Sequence, residues 1–241
     1  KVLLPEEYGV YASLMAFLIL GNVLLSYGME TAFFRFVTKK SSDTQKVQST
    51  TLTSLTVSSL IFLGVTLLFK DSLASFSDFK PEYVTYVLWI LTLDALVVLP
   101  FVWFRANERP MRYAVIKIIN VCINLGLNLF FFLVLPNWAE DSAFWAPLWN
   151  PENKVAYVFI SNLIASGSTL LMLLPLYVKI GFGFDKVIWK NMIRYALPVL
   201  IAGIAFSVNE AFDRILLKYL LPEDVADTQI GLYSACYKLG M

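Results

Sequence analysis

The sequence predicts an all-α integral membrane protein, built as a polytopic helical bundle. Of its 241 residues, 58% are apolar and only 15% are charged, whereas a soluble domain has about 45–50% apolar and about 25% charged residues. The mean hydropathy of +0.67 agrees with that balance. Long apolar stretches recur along the chain, and none has the strict two-residue alternation of a membrane β-strand. Spanning helices are therefore favoured over a barrel.

Composition also excludes several kinds of site. The chain has no histidine, which removes His-ligated metal sites, Ser-His-Asp triads and Cys-His dyads. Its net charge is +1, so nothing indicates a nucleic-acid partner. Cys122 and Cys236 both lie in apolar helical segments and predict no disulfide framework. No metal and no cofactor are expected.

Six apolar stretches are long enough to cross a bilayer, for which about 20 residues are needed. The predicted spans are 8–29, 47–69, 83–104, 118–139, 155–178 and 196–221, and the start of a further span is predicted over 232–241. Asp94 is the only charged residue in the third span. The sixth contains Glu210, Asp213, Arg214 and Lys218, although a charge at the centre of a spanning helix costs roughly 2.5–3.5 kcal/mol.

Basic residues in the connecting loops predict the orientation. Loops 30–46, 105–117 and 179–194 each carry four Lys or Arg residues, and the alternate loops carry fewer. The positive-inside rule places these three loops in the cytoplasm. Within the last of them, residues 185–195 are predicted to form a basic amphipathic helix on the inner leaflet.

A loose internal repeat predicts the domain organisation. "LPEEYGVYASLMAF" at 4–17 returns as "LPEDVADTQIGLYSACYKLG" at 221–240, and such repeats are typical of transporters. A span comparable to the sixth is then expected before residue 4. Residues 1–183 would form an N-terminal lobe without its first helix, and 184–241 would begin a C-terminal lobe.

Five segments carry a resemblance to a known family: "LPEEYGVYASL", "YGMETAFFRFV", "RANERPMRYAVIKIINVCINLGLNLF", "RYALPVLIAGIAFSVNEAFDRILL" and "IGLYSACYKLG". In this order and spacing they resemble the oligosaccharide flippases of the multidrug/oligosaccharidyl-lipid/polysaccharide exporter superfamily. The resemblance implies a fold of two six-helix lobes around a V-shaped cavity. This chain would be a fragment that covers family helices two to seven and the start of an eighth.

The resemblance also implies the function. The expected activity is to flip a polyprenyl-diphosphate-linked oligosaccharide, such as an O-antigen, capsule or exopolysaccharide unit, from the cytoplasmic to the outer leaflet by alternating access. Such a transporter is not an enzyme. The implied location is the bacterial inner membrane, and the implied partners are the lipid-linked oligosaccharide, membrane lipids and glycosyltransferases or a polymerase of the same pathway. Coupling to H⁺ or Na⁺ stays open.

Polar residues inside the spans are the candidate cargo site, because charges that face a wet cavity avoid most of the insertion cost. Glu210, Asp213 and Arg214 share one helix face, and Glu210 and Arg214 are spaced for an ion pair. The alternative is a structural pair that holds the lobes together. The cavity-binding candidates also include a stripe in and before the fourth span, formed by Lys117, Asn120, Asn124 and Asn128. Asn–Asn bonding between packed helices is its alternative.

Two further residues are candidates. Asp94 lies at the middle of its span, where a carboxylate indicates a proton or sodium site or an ion-pair partner on another helix. Arg35 is the preferred diphosphate contact, because a guanidinium binds phosphate oxygens bidentately. An ordinary positive-inside anchor is the alternative for Arg35.

Other functions compete with the flippase. An ion-coupled multidrug exporter of the same superfamily would use Asp94 as its coupling site. A membrane-embedded polyprenyl-sugar transferase or polymerase would need an acid or base in a sizeable external loop, and the external loop 136–153 is dominated by Trp and Pro. A passive structural bundle would gain nothing from so many aligned polar residues at mid-membrane depth.

Overall fold

A computed structural model describes residues 3–38, 43–141, 145–151 and 153–240 of the chain. Ten α-helices lie in these ranges, and no strand does. They are α1 Pro5–Ser26, α2 Met29–Thr38, α3 Thr44–Leu68, α4 Lys70–Ser77, α5 Pro81–Ala106, α6 Pro110–Leu129, α7 Leu135–Asp141, α8 Lys154–Ile180, α9 Lys186–Leu220 and α10 Glu223–Gly240. A π-helical segment, Phe130–Val134, joins α6 to α7, and a 3₁₀ turn, Ala146–Leu148, follows α7.

Six segments of the described chain are long and apolar enough to cross a membrane: Pro5–Thr38, Thr44–Leu68, Pro81–Ala106, Pro110–Ala139, Lys154–Ile180 and Lys186–Asn209. Each overlaps one of the six predicted spans. The prediction of an all-α polytopic membrane protein is therefore confirmed.

Several helices extend beyond the apolar stretches that predicted them. Pro110 begins α6 at its first position, where a proline costs no hydrogen bond, so the helix starts within the predicted loop 105–117. In the same way α2 occupies part of loop 30–46. Hydropathy reports the part of a helix that suits hydrocarbon, whereas local capping decides where the helix begins and ends.

The predicted surface helix 185–195 and the predicted span 196–221 form one continuous helix, α9. The Asp185 side chain caps α9 by accepting hydrogen bonds from the N–H groups of Val187 and Ile188, and Pro198 lies inside the helix without ending it. Its 35 residues extend about 52 Å at 1.5 Å per residue. A hydrocarbon core is about 30 Å thick, so part of α9 extends beyond it.

The hydrophobic core has two parts that lie along α5. One part contains Phe33, Trp103 and Met192, and the other contains Ile90 and Phe159. In the most apolar part of α5, 72% of the residues are buried, whereas only 6% are buried in that of the segment Pro110–Ala139, which begins with α6. Helix α5 thus lies at the centre of the bundle. Helix α6 packs on the outside, mainly against α8.

Hydroxyl groups of α3 fix the segment that joins α8 to α9. The Ser54 hydroxyl accepts a hydrogen bond from Trp189 Nε1 and shares another with the Tyr27 hydroxyl, both at 2.8 Å. The Thr53 hydroxyl donates to the Gly183 carbonyl and accepts from its N–H group. These contacts connect the predicted N-terminal lobe to the start of α9.

Helices α1 and α10 cross at two glycines. A Cβ atom on Gly9 would overlap the carbonyl of Asp227, and a Cβ atom on Gly231 would overlap the carbonyl of Pro5. Only glycine permits backbones to approach this closely, as at other helix crossings in membranes. The crossing brings the beginning of α10 against the beginning of α1.

Candidate functional site

A polar cavity of about 500 Å³ lies between α1, α5, α6 and α8. Valine and phenylalanine side chains form part of its wall. Its polar lining consists of Asn22, Ser26, Glu30, Asp94, Arg105, Tyr113, Lys117, Asn120, Asn162, Ser166 and Thr169. Among the candidates predicted from sequence, Asp94, Lys117 and Asn120 therefore meet in one place.

Asp94 is the acidic centre of this cavity. Its carboxylate accepts a hydrogen bond of 2.9 Å from the Ser166 hydroxyl across α5 and α8. Asn22 and Asn162 line the cavity from the neighbouring helices. Oxygen atoms of a carboxylate, a hydroxyl group and amide side chains are ligands that suit a proton or a hard monovalent cation.

An ion pair lies where α5 ends. Arg105 in the last turn of α5 bonds to Glu30 in the first turn of α2, and both side chains line the polar cavity. Their exposed fractions are 48% and 43%, so this part of the cavity is open to solvent. The pair therefore places one cation and one anion at an entrance.

The predicted polar stripe of α6 divides into two parts. Lys117 and Asn120 line the cavity, and Asn120 donates a hydrogen bond of 2.9 Å to the Thr169 hydroxyl on α8. Farther along, the Asn128 amide donates to both the side-chain and main-chain oxygens of Asn124 at 2.8 Å. These two asparagines bond within α6 and are not part of the cavity lining.

Arg35 lies on α2, where its guanidinium carbon is 4.2 Å from the centre of the Tyr195 ring on α9. The Arg35 side chain is exposed and does not line the polar cavity. The structure therefore places it against α9, apart from Asp94 and Lys117.

Two charged residues near the C-terminal end of α9, Asp213 and Arg214, face α10. Arg214 is only 8% exposed; its guanidinium donates to the Ser234 hydroxyl at 3.3 Å and lies over the Tyr237 ring. Asp213 accepts a 2.6 Å hydrogen bond from the Tyr233 hydroxyl. Glu210 belongs to α9, but its side chain lies outside the described part of the chain. Neither Asp213 nor Arg214 lines the polar cavity around Asp94.

Lys218, one turn farther along α9, also has charged and aromatic partners on neighbouring segments. Its side chain is 6% exposed, and its ammonium group lies 3.6 Å from a carboxylate oxygen of Asp227 and 3.9 Å from one of Asp78. The same ammonium lies 4.2 Å from the centre of the Phe79 ring. These contacts make the charges of Asp213, Arg214 and Lys218 tolerable within the bundle.

Sequence reasoning missed eight polar contributors to the cavity: Asn22, Ser26, Glu30, Arg105, Tyr113, Asn162, Ser166 and Thr169. Asn22 and Asn162 gave a signal, since each is an amide inside an otherwise apolar span. Glu30 and Arg105 gave none, because both lie at loop boundaries where charges are ordinary.

The cavity offers hydrogen-bond donors and acceptors together with both signs of charge. No group of three or more His, Cys, Asp or Glu residues that could hold a metal ion occurs in the described ranges. Amide and hydroxyl groups suit sugar hydroxyls, and Lys117 and Arg105 suit phosphate oxygens.

Comparison with known proteins adds one match. A family model described as "Polysaccharide biosynthesis protein" matches residues 1–241. No curated protein matches the chain, and no solved structure does.

Proposed function

Because the chain belongs to the polysaccharide biosynthesis protein family, we propose that it is a transporter of polyprenyl-diphosphate-linked oligosaccharide. It flips the carrier-bound unit, of the O-antigen, capsule or exopolysaccharide kind, from the cytoplasmic leaflet to the outer leaflet by alternating access. Its membrane is the bacterial inner membrane, and loops 30–46, 105–117 and 179–194 lie in the cytoplasm.

The polar cavity around Asp94 is the observation that supports this proposal. A sugar diphosphate cannot cross hydrocarbon without replacements for its water contacts. Asn22, Asn120 and Asn162 supply amides for the hydroxyl groups, and Lys117 supplies positive charge for the diphosphate. A site open to solvent beside Arg105 allows the headgroup to enter while the prenyl chain stays in lipid.

Asp94 is the proposed coupling site of this cycle. A carboxylate that binds H⁺ or Na⁺ inside the bundle changes the charge of the cavity as the ion arrives or leaves. Lys117 lies in the same cavity, so ion binding at Asp94 would strengthen or weaken the local attraction for the diphosphate. This links the cargo to an ion gradient without any cofactor.

Glycan export in cells that lack their own transporter tests the function. Lys117→Gln and Asn120→Ala should each reduce export about ten-fold or more, since each removes a cargo contact worth about 1.5 kcal/mol or more. Lys190→Gln, which changes an exposed cation of α9 outside the cavity, is the matched control. Membrane levels of all variants are measured by immunoblot.

The form in which the glycan accumulates separates a transporter from an enzyme. A failing flippase leaves complete lipid-linked units on the cytoplasmic leaflet, a failing transferase leaves shorter units, and a failing polymerase leaves complete single units on the outer leaflet. Mass spectrometry of the extracted carrier lipids gives the length of the units, and their accessibility to an impermeant glycosidase gives the leaflet. Incomplete units in the Lys117→Gln cells would replace the transporter proposal with an enzymatic one.

A further inference from the structure

A second cavity, here called the basic groove, lies between the end of α5, the start of α6 and the end of α8. Its volume is about 430 Å³, within the usual range for small-molecule sites. It shares no lining residue with the polar cavity around Asp94. Helix α6 separates the two, with Tyr113, Lys117 and Asn120 on one face and Arg112 and Val115 on the other.

The charges of the basic groove all have one sign. Arg109, Arg112 and Lys179 line it, and no Asp or Glu of the described chain does. The remaining lining is apolar and includes Val115, Met172 and Leu176. A groove that combines three cations with an apolar wall matches a ligand with an anionic head and a hydrocarbon tail.

Trp103 provides an independent indication of an anionic ligand. It lines the basic groove, is only 5% exposed, and its indole N–H finds no hydrogen-bond partner within the described residues. A buried donor without an acceptor is unfavourable. The guanidinium of Arg109 lies 5.6 Å from the Trp103 ring centre and the ammonium of Lys179 lies 5.2 Å from it. Two cations of the groove thus lie close to the ring that carries the unpartnered donor.

The start of α6 adds backbone donors at the same place. This 20-residue helix begins at Pro110, and no side chain caps its first turn. The early N–H groups of a helix point away from its body and carry partial positive charge. They favour an anion for the same reason as the neighbouring arginines.

We propose that the basic groove binds the phosphate headgroup of an anionic glycerophospholipid, whose acyl chains lie along the apolar wall. The lining contains no amide and no hydroxyl side chain, so it offers little to the sugars of a lipid-linked oligosaccharide. Met111, Val115 and Val178 are exposed beside it, which gives a bilayer lipid lateral access. The site is thus distinct from the cargo cavity and does not depend on the proposed transport function.

Lipid binding by the purified protein in neutral detergent tests the proposal, with native mass spectrometry as the readout. Phosphatidylglycerol should bind at least ten-fold more tightly than phosphatidylcholine. The triple variant Arg109→Gln/Arg112→Gln/Lys179→Gln should lose that preference. The control triple Lys186→Gln/Lys190→Gln/Arg194→Gln changes three exposed cations of α9 and should keep it. Equal loss in both triples would show unspecific attraction and overturn the proposal.

Trp103→Phe tests whether the indole N–H contributes to lipid binding, because it removes this donor and keeps an aromatic ring. Phosphatidylglycerol affinity should fall roughly ten-fold, as expected for a hydrogen bond to a charged group. If the Phe variant does not fold, Arg112→Gln, at an exposed position, removes one cation of the groove instead and should also lower the affinity. Unchanged affinity in the folded variant would overturn the proposal.

Competition identifies the source of the phosphate. Phosphatidylglycerol should not be displaced by millimolar inorganic phosphate or diphosphate, because neither has acyl chains to contact the apolar wall. Displacement by either would overturn the lipid assignment. Tighter binding of polyprenyl diphosphate than of phosphatidylglycerol would also overturn it, since the groove would then belong to the cargo.

Discussion

Arg105 in the last turn of α5 pairs with Glu30 in the first turn of α2, at the solvent-open part of the polar cavity. Both side chains are about half exposed, so the pair contributes only about 0–1 kcal/mol to stability. Its position beside the cavity suggests a role with the cargo rather than with the fold.

Opposite substitutions of this pair should therefore have opposite effects on transport. Arg105→Gln removes a cation that would attract the proposed diphosphate cargo, so export should fall several-fold. Glu30→Gln leaves Arg105 without its neutralising partner, so the apparent affinity for cargo should rise. Export at limiting cargo and the melting temperature are measured for both. An equal loss of export in the two variants would indicate that the ion pair has a structural role and does not act on the cargo.

Asp94→Asn should abolish the dependence of transport on an ion gradient while the protein stays folded. The asparagine keeps an oxygen that can accept the Ser166 hydrogen bond seen for Asp94, but it cannot bind a proton and attracts Na⁺ only weakly. Transport is measured with imposed H⁺ or Na⁺ gradients. Asp71→Asn, at an exposed position of α4, is the control. Unchanged gradient-driven transport with a lower melting temperature would make Asp94 a structural partner.

The sequence predicted the six spans well because hydrocarbon selects composition directly, whatever the tertiary contacts. It identified Asp94 as a lone charge inside an apolar span, and Lys117 and Asn120 as members of one polar stripe. Their convergence could not be predicted, because it depends on how α6 packs against α5 and α8. The same limit applies to Arg214, whose partners Ser234 and Tyr237 lie on a helix that hydropathy could not orient.

Thiol labelling from outside the cell should confirm the orientation predicted from the basic loops. Both native cysteines, Cys122 and Cys236, are exposed, so they are first replaced by alanine. Asn107→Cys, between α5 and α6, should resist an impermeant reagent, whereas Pro151→Cys, between the turn Ala146–Leu148 and α8, should react. Permeabilised cells should label at both positions. If only Asn107→Cys is labelled in intact cells, the orientation is the reverse of the predicted one.

Gly231→Ala should destabilise the protein, because its Cβ atom would overlap the carbonyl of Pro5 where α1 and α10 cross. Backbone atoms cannot move aside as the end of a flexible side chain can. Overpacking should therefore lower the free energy of unfolding by roughly 1–3 kcal/mol. Gly126→Ala is the matched control: nothing lies within 4 Å of its Cβ position, and alanine favours a helix. Thermal unfolding in detergent compares them. Equal melting temperatures would show that the crossing can relax.

The ion pair of Lys218 and Asp227 should behave as a buried pair, in which removal of one partner is worse than removal of both. The Lys218 side chain is 6% exposed, and that of Asp227 is 25% exposed. Asp227→Asn leaves the ammonium with Asp78, which is 77% exposed and 3.9 Å away, so the loss should approach roughly 3 kcal/mol.

Lys218→Met added to Asp227→Asn removes the buried charge and keeps a long apolar side chain against Phe79, whose ring the ammonium now approaches. Replacing a buried ion pair by neutral groups of similar size is often without cost, so the double variant should recover most of the stability lost in Asp227→Asn. The melting temperatures of the wild type, both single variants and the double variant form a double-mutant cycle. Additive losses would mean that the two residues do not interact, and that α9 tolerates its lysine through solvent that reaches this end of the helix.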